Sequence, residues 1–118
     1  MIAALVRQKV KSGQTGPDAQ VIAQLRSAGS DVTKPHEVEF FLYFPTETVA
    51  RQAADQFSSR GYKAVVRLGV NQKNWLCQLN RHMVPTVEAM TTARGEFTAV
   101  TDASGGEYDG WGAEVVPR

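Results

Sequence analysis

From His36 onward the spacing of apolar residues switches back and forth between two repeats, and that succession restricts the fold more than any single motif does. Val38, Phe40, Leu42 and Phe44 alternate with Glu37, Glu39, Phe41 and Tyr43, the two-residue repeat of a strand. Pro45-Thr46 closes this strand and opens a helix in which Val49, Ala50, Ala53 and Phe57 share one face, with Gly61 at its exit. Tyr62 to Leu68 alternates again, with Ala64, Val66 and Leu68 set against Lys63 and Arg67. Turn residues fill Gly69 to Asn74, and Trp75 to Met83 follows as a hairpin partner with Trp75, Cys77 and Leu79 on one side. Pro85 starts another helix with the stripe Val87, Met90, Ala93, Phe97 and Val100. Gly105-Gly106 end it before a last extended segment, Glu107 to Val116.

This order, β-α-β-β-α-β, is the split βαβ arrangement of a ferredoxin-like sandwich, an α+β fold. It places both helices on one face of a four-stranded antiparallel sheet and leaves the other face for water, an extra element or a partner. With Val38, Phe40, Leu42 and Phe44 turned towards the helices, Glu37, Glu39, Phe41 and Tyr43 turn away, beside Leu76, Gln78, Asn80 and His82. An extra N-terminal helix begins at Pro17-Asp18, carries Val21, Ile22 and Leu25 as its stripe and stops at Gly29. The expectation is that this helix, residues 18–28, folds back over Phe41 and Tyr43. Burying one such ring contributes roughly 1.5–3 kcal/mol. The competing reading leaves the face open for recognition.

Residues 17–118 read as one domain, since 118 residues at 42% hydrophobic content suit a single core. Residues 1–16 read as a tail or a short amphipathic helix, with Ile2, Leu5, Val6 and Val10 at helical spacing and Ser12 to Gly16 as a linker. The apolar run from Ile2 to Val6 is too short for a signal core or a membrane span. Cys77 is the only cysteine, so no internal disulfide can form and a reducing, cytoplasmic setting is expected. The formal net charge of +1 provides no strong field for nucleic acid.

No catalytic pattern emerges. Glu107 stands where a dinucleotide fingerprint starting at Gly105 needs glycine, and Asp102 stands where a nucleophile elbow at Ser104 needs one. Cys77 and His82, five residues apart on one strand, point to opposite faces. His36, His82 and Cys77 do not make up the three or four converging ligands of a metal site, so no catalytic, cofactor or metal residue is assigned. The paired acids Glu37/Glu39 and Glu107/Asp109 suit docking to a basic partner better than acid-base chemistry. Rings on an open sheet also raise an RNA-recognition motif, but the outward positions of the third strand, Leu76, Gln78, Asn80 and His82, lack the ring it requires.

Three stretches carry a family resemblance: Ser30-Asp31 leading to Lys34-Pro35-His36-Glu37-Val38-Glu39-Phe40, then Arg81-His82-Met83-Val84-Pro85-Thr86, and Gly105-Gly106-Glu107-Tyr108-Asp109-Gly110-Trp111-Gly112. Together they resemble the ribonuclease E regulator B (RraB-like) family, from about Asp18 to Val115. The resemblance implies a non-catalytic protein that binds the non-catalytic region of ribonuclease E and alters RNA turnover. Its implied partner is therefore protein, with no cofactor, no membrane and no direct nucleic acid. The candidate partner-binding residues are Glu37, Glu39, Phe41, Tyr43, Glu107, Tyr108, Asp109 and Trp111. The alternative reading is a ferredoxin-like nucleic-acid-binding or small-ligand sensor module. Trp111, between Gly110 and Gly112, reads either as partner anchor or as core. One departure stands out. Family members tied to ribonuclease E control are distinctly acidic, whereas here Arg7, Lys9, Lys11, Arg26 and Lys34 against Asp18 and Asp31 make residues 1–35 basic by +3 and leave only −2 on the remainder.

Overall fold

The computed structural model describes residues 5–8 and 17–118. The elements in chain order are β1 (Leu5–Gln8), α1 (Pro17–Ser27), β2 (His36–Phe44), α2 (Glu47–Ser58), β3 (Lys63–Leu68), β4 (Trp75–Met83), α3 (Val87–Ala103) and β5 (Glu107–Glu114). The strands form one antiparallel sheet in the order β1-β5-β2-β4-β3. The α+β class and the β-α-β-β-α-β succession over β2 to β5 match the period changes in the sequence.

Local chemistry sets the element boundaries. Thr46 and Thr86 cap α2 and α3, each hydroxyl accepting a backbone N–H of the first turn, from Val49 at 3.2 Å and Ala89 at 3.1 Å. At the far end of α2, Gly61 adopts φ +96, a left-handed conformation, so the Tyr62 N–H can reach back to the Phe57 carbonyl at 3.2 Å. The Tyr62 ring then meets Phe57 edge-on at 5.8 Å. The β3–β4 turn closes through Gly69 N–H to Asn74 O at 2.8 Å, and the Asn71 side chain accepts from the N–H groups of Lys73 and Asn74.

The core lies between the sheet and the helices. Phe97 of α3 is its hub, with ring centroids 4.9 Å from Phe40, 5.1 Å from Phe57, 5.6 Å from Tyr62 and 5.3 Å from Tyr108. Cys77 is buried in the same core, where burial pushes its thiol up to about 12.

Two expectations for the N-terminal part are corrected. Leu5–Gln8 is not helical: it pairs with β5, from Leu5 opposite Glu114 to Gln8 opposite Trp111. Without it the outer backbone groups of β5 would have no ladder partner. The rest of residues 1–16, with the linker expected at Ser12 to Gly16, lies outside the described residues. The helix expected over 18–28 exists, but it does not cover Phe41 and Tyr43. Val21, Ile22 and Leu25 join Phe40, Met90, Phe97 and Trp111 in the main core, so α1 lies in the same layer as α2 and α3, against α3 and β1. A buried polar link fixes it there: Asp18, 3% exposed, accepts from the Trp111 indole N–H at 3.1 Å and forms an ion pair with Arg94 of α3.

A second buried link joins the chain's end to the start of β2. The Ser30 hydroxyl lies 2.5 Å from His36 Nε2 and accepts the Val116 N–H at 2.9 Å. His36 Nδ1 lies 2.8 Å from the Lys34 carbonyl, which can only accept; Nδ1 therefore donates, and in the neutral ring Nε2 accepts a hydrogen bond from the Ser30 hydroxyl. The two side chains form a clasp with no room for a substrate, since both are buried.

Candidate functional site

With the three described helices on one side, the other face of the sheet is covered by no described element. Strand register arranges its residues in rows across the sheet. One row runs Glu107, Tyr43, Leu76, Arg67 and another Gly112, Glu39, Asn80, Lys63. Between them lie Phe41, Gln78 and Val65, and at the end Glu37 stands opposite His82. Acids thus collect on β5 and β2 and bases on β4 and β3.

Side-chain hydrogen bonds tie the two halves together. Gln78 donates to Glu39 at 2.9 Å and to Asn80 at 3.0 Å, while Arg67 donates to the Gln78 carbonyl oxygen at 3.1 Å. His82 Nδ1 lies 3.6 Å from Glu37, an exposed pair of small energetic weight. Where β5 passes β2 the register shifts between Phe40 and Leu42, and Gly110 takes φ +94. This bulge lets Tyr108 and Trp111, three residues apart, both face the core, and leaves Asp109 on the other side. Asp109 and Glu107 there border a cleft with Tyr43 and the β3–β4 turn residues Val70, Asn71 and Asn74.

The expected site residues therefore divide. Glu37, Glu39, Tyr43, Glu107 and Asp109 all reach the open face, with Glu37 and Glu107 the most exposed of them. Phe41 lies on that face but is 3% exposed. Tyr108 and Trp111 do not reach it. Trp111 is fully buried and its N–H is committed to Asp18, which decides between anchor and core in favour of core. Burial, with Asp18 nearby, pushes the Tyr108 phenol up, so the ring stays neutral and inside.

Sequence reasoning missed some of the surface. Glu114 lies one register step beyond the Ala113–Val38 pair, beside Glu37, and continues the acidic line of β5. The two-residue period of β5 points to it only once the extra residue at the bulge is counted. Val65, 54% exposed, and Val70, fully exposed, are apolar residues of β3 and its turn that face solvent. Among the described residues no group of three or more His, Cys, Asp or Glu comes together as a metal site, and no helix is long and apolar enough to cross a membrane.

Fold and surface together define an α+β domain with one helical side and one charge-divided sheet side that no described element covers. The cap residues, the β5 bulge and the acid-bearing strands that build it fall almost wholly within the segment that identifies its kind. The chain belongs to the family of regulator of ribonuclease activity B, whose pattern it matches over residues 17–113, from the first residue of α1 to the penultimate residue of β5. No curated protein matches the chain.

Proposed function

We propose that this chain is a non-catalytic, cytoplasmic regulator that binds an endoribonuclease of the ribonuclease E type and modulates RNA processing or turnover. Family membership over residues 17–113 carries the reading. We assign docking to the acidic half of this sheet face, Glu37, Glu39, Glu107 and Asp109, with half-buried Tyr43 as its apolar contact and buried Phe41 supporting it from beneath. Carboxylates in this setting accept charge-assisted hydrogen bonds from Arg and Lys, so the matching partner surface is a basic, extended segment. The same acids repel phosphate, and β4 offers no outward ring for a base to stack on, which weighs against the nucleic-acid alternative. We also assign the arrangement to the ferredoxin-like sandwich, with strand order β5-β2-β4-β3 as its support and β1 as an added edge.

The test is to titrate the purified chain into a ribonuclease E cleavage assay and to measure binding calorimetrically. The expected result is an altered cleavage rate and saturable binding, both weakened by Glu107→Lys/Asp109→Lys. An unaltered rate with no binding heat would overturn the proposal.

A further inference from the structure

The charge division of the open face is self-complementary. A second copy laid face to face, related by a two-fold axis running along the strands between β2 and β4, brings each row over the same row read backwards. In the first row, Arg67 of each copy meets Glu107 of the other, and Leu76 meets Tyr43. In the second, Asn80 meets Glu39 and Lys63 lies over Gly112, where β5 presents no side chain. The next row sets Gln78 over Phe41 and turns exposed Val65 towards the glycine-bearing bulge, and the last sets His82 over Glu37. An axis across the strands would instead stack acid on acid.

From this complementarity we propose that the open face is an isologous interface that pairs two copies of this chain in solution. Stacked sheets turn by about 30° relative to each other, so the rows nearest the centre align best. The face is small. β2 and β4 have 9 residues each. At about 3.3 Å per residue and about 4.8 Å per strand, four strands cover roughly 600 Å² per copy. Because Phe41 and Leu76 are already buried within each copy, the two copies together bury less than roughly 1,200 Å², below the standard size of a specific complex, so the dimer is weak, reversible and concentration-dependent. It also covers Glu39 and Glu107, so a second copy and a basic partner compete for one surface.

Charge-swapped variants test this with the chain alone, independently of any ribonuclease. Glu39→Lys/Glu107→Lys sets a base over Arg67 of the other copy, and Lys63→Glu/Arg67→Glu sets an acid over Glu107 of the other copy. Sedimentation equilibrium should show a wild-type dimer weakened by salt, and each variant should lose about tenfold or more in self-affinity. Mixing the two variants should restore a dimer of one copy of each, with circular dichroism confirming that both are folded. A wild-type chain that stays monomeric at its highest soluble concentration overturns the proposal. So does an equimolar mixture that stays monomeric, or self-association that survives both swaps.

Discussion

Asp18 shows how much one carboxylate decides when it is buried. It holds the Trp111 indole N–H and the Arg94 guanidinium, from an element 93 residues upstream of the tryptophan. The sequence offered Asp18 only as a favourable charge at a helix N-terminus, because nothing local announces a partner so distant. Asp18→Ala leaves Arg94 beside an emptied site and is expected to cost about 3–5 kcal/mol in urea unfolding. Trp111→Phe keeps most of the ring volume and loses the donor, and is expected to cost about 1–3 kcal/mol. Equal losses from the two would show that packing alone matters there. A second residue-scale expectation concerns alkaline pH. Burial raises both the Cys77 thiol and the Tyr108 phenol above their unfolded values. The unfolded chain therefore releases these protons first. Stability should be level below about pH 8, fall from about pH 9 as the unfolded thiol ionises, and keep falling as pH rises towards the folded-state values. Denaturant melts between pH 7 and 10.5 check the sign, and a midpoint that rises with pH would contradict it.

At the scale of elements, the repeats in the sequence located every strand and helix from residue 17 to 118, because each amphipathic element buries a single stripe and that stripe carries its period. The placement of α1 was not legible. Val21, Ile22 and Leu25 require only some apolar surface, and both sheet faces offered one. The choice was made by what the sequence reading lacked: β1 widens the sheet beside β5, Trp111 occupies the core there, and Arg94 reaches across from α3. Since α1 supplies fully buried Val21 and Leu25, it is part of the core and not a removable cover. Removing residues 1–29 exposes the apolar surface under three side chains worth about 1.5–3 kcal/mol each, a sum comparable to the whole stability of a small domain. The truncated chain is expected to lose its cooperative thermal transition. Removing only residues 1–8 should lower the melting temperature and preserve cooperativity. A cooperative melt for the 30–118 fragment would mean that α1 contributes little.

For the molecule as a whole, the informative quantity is where charge sits and not how much there is. A net charge of +1 makes the chain look nearly neutral, and the acidity expected of a ribonuclease E regulator is absent from its composition. Folding sorts the charge: β5 and β2 bring Glu37, Glu39, Glu107, Asp109 and Glu114 to one half of a face, while Lys63, Arg67 and His82 occupy the other. An approaching basic segment responds to this local arrangement within about 8–10 Å, the screening length at ordinary ionic strength. Docking on the acidic half therefore predicts a particular kinetic signature. Charge reversal at Glu107 and Asp109 should lower the association rate for a basic ribonuclease segment about tenfold at low salt and much less at high salt. Glu107→Lys alone should change the thermal melt little, because Glu107 is exposed, whereas Asp109 has a buried carboxylate oxygen and its reversal is expected to lower the melt. Stopped-flow binding at two salt concentrations separates this from an apolar contact, for which the variant would act mainly on the dissociation rate and be nearly indifferent to salt.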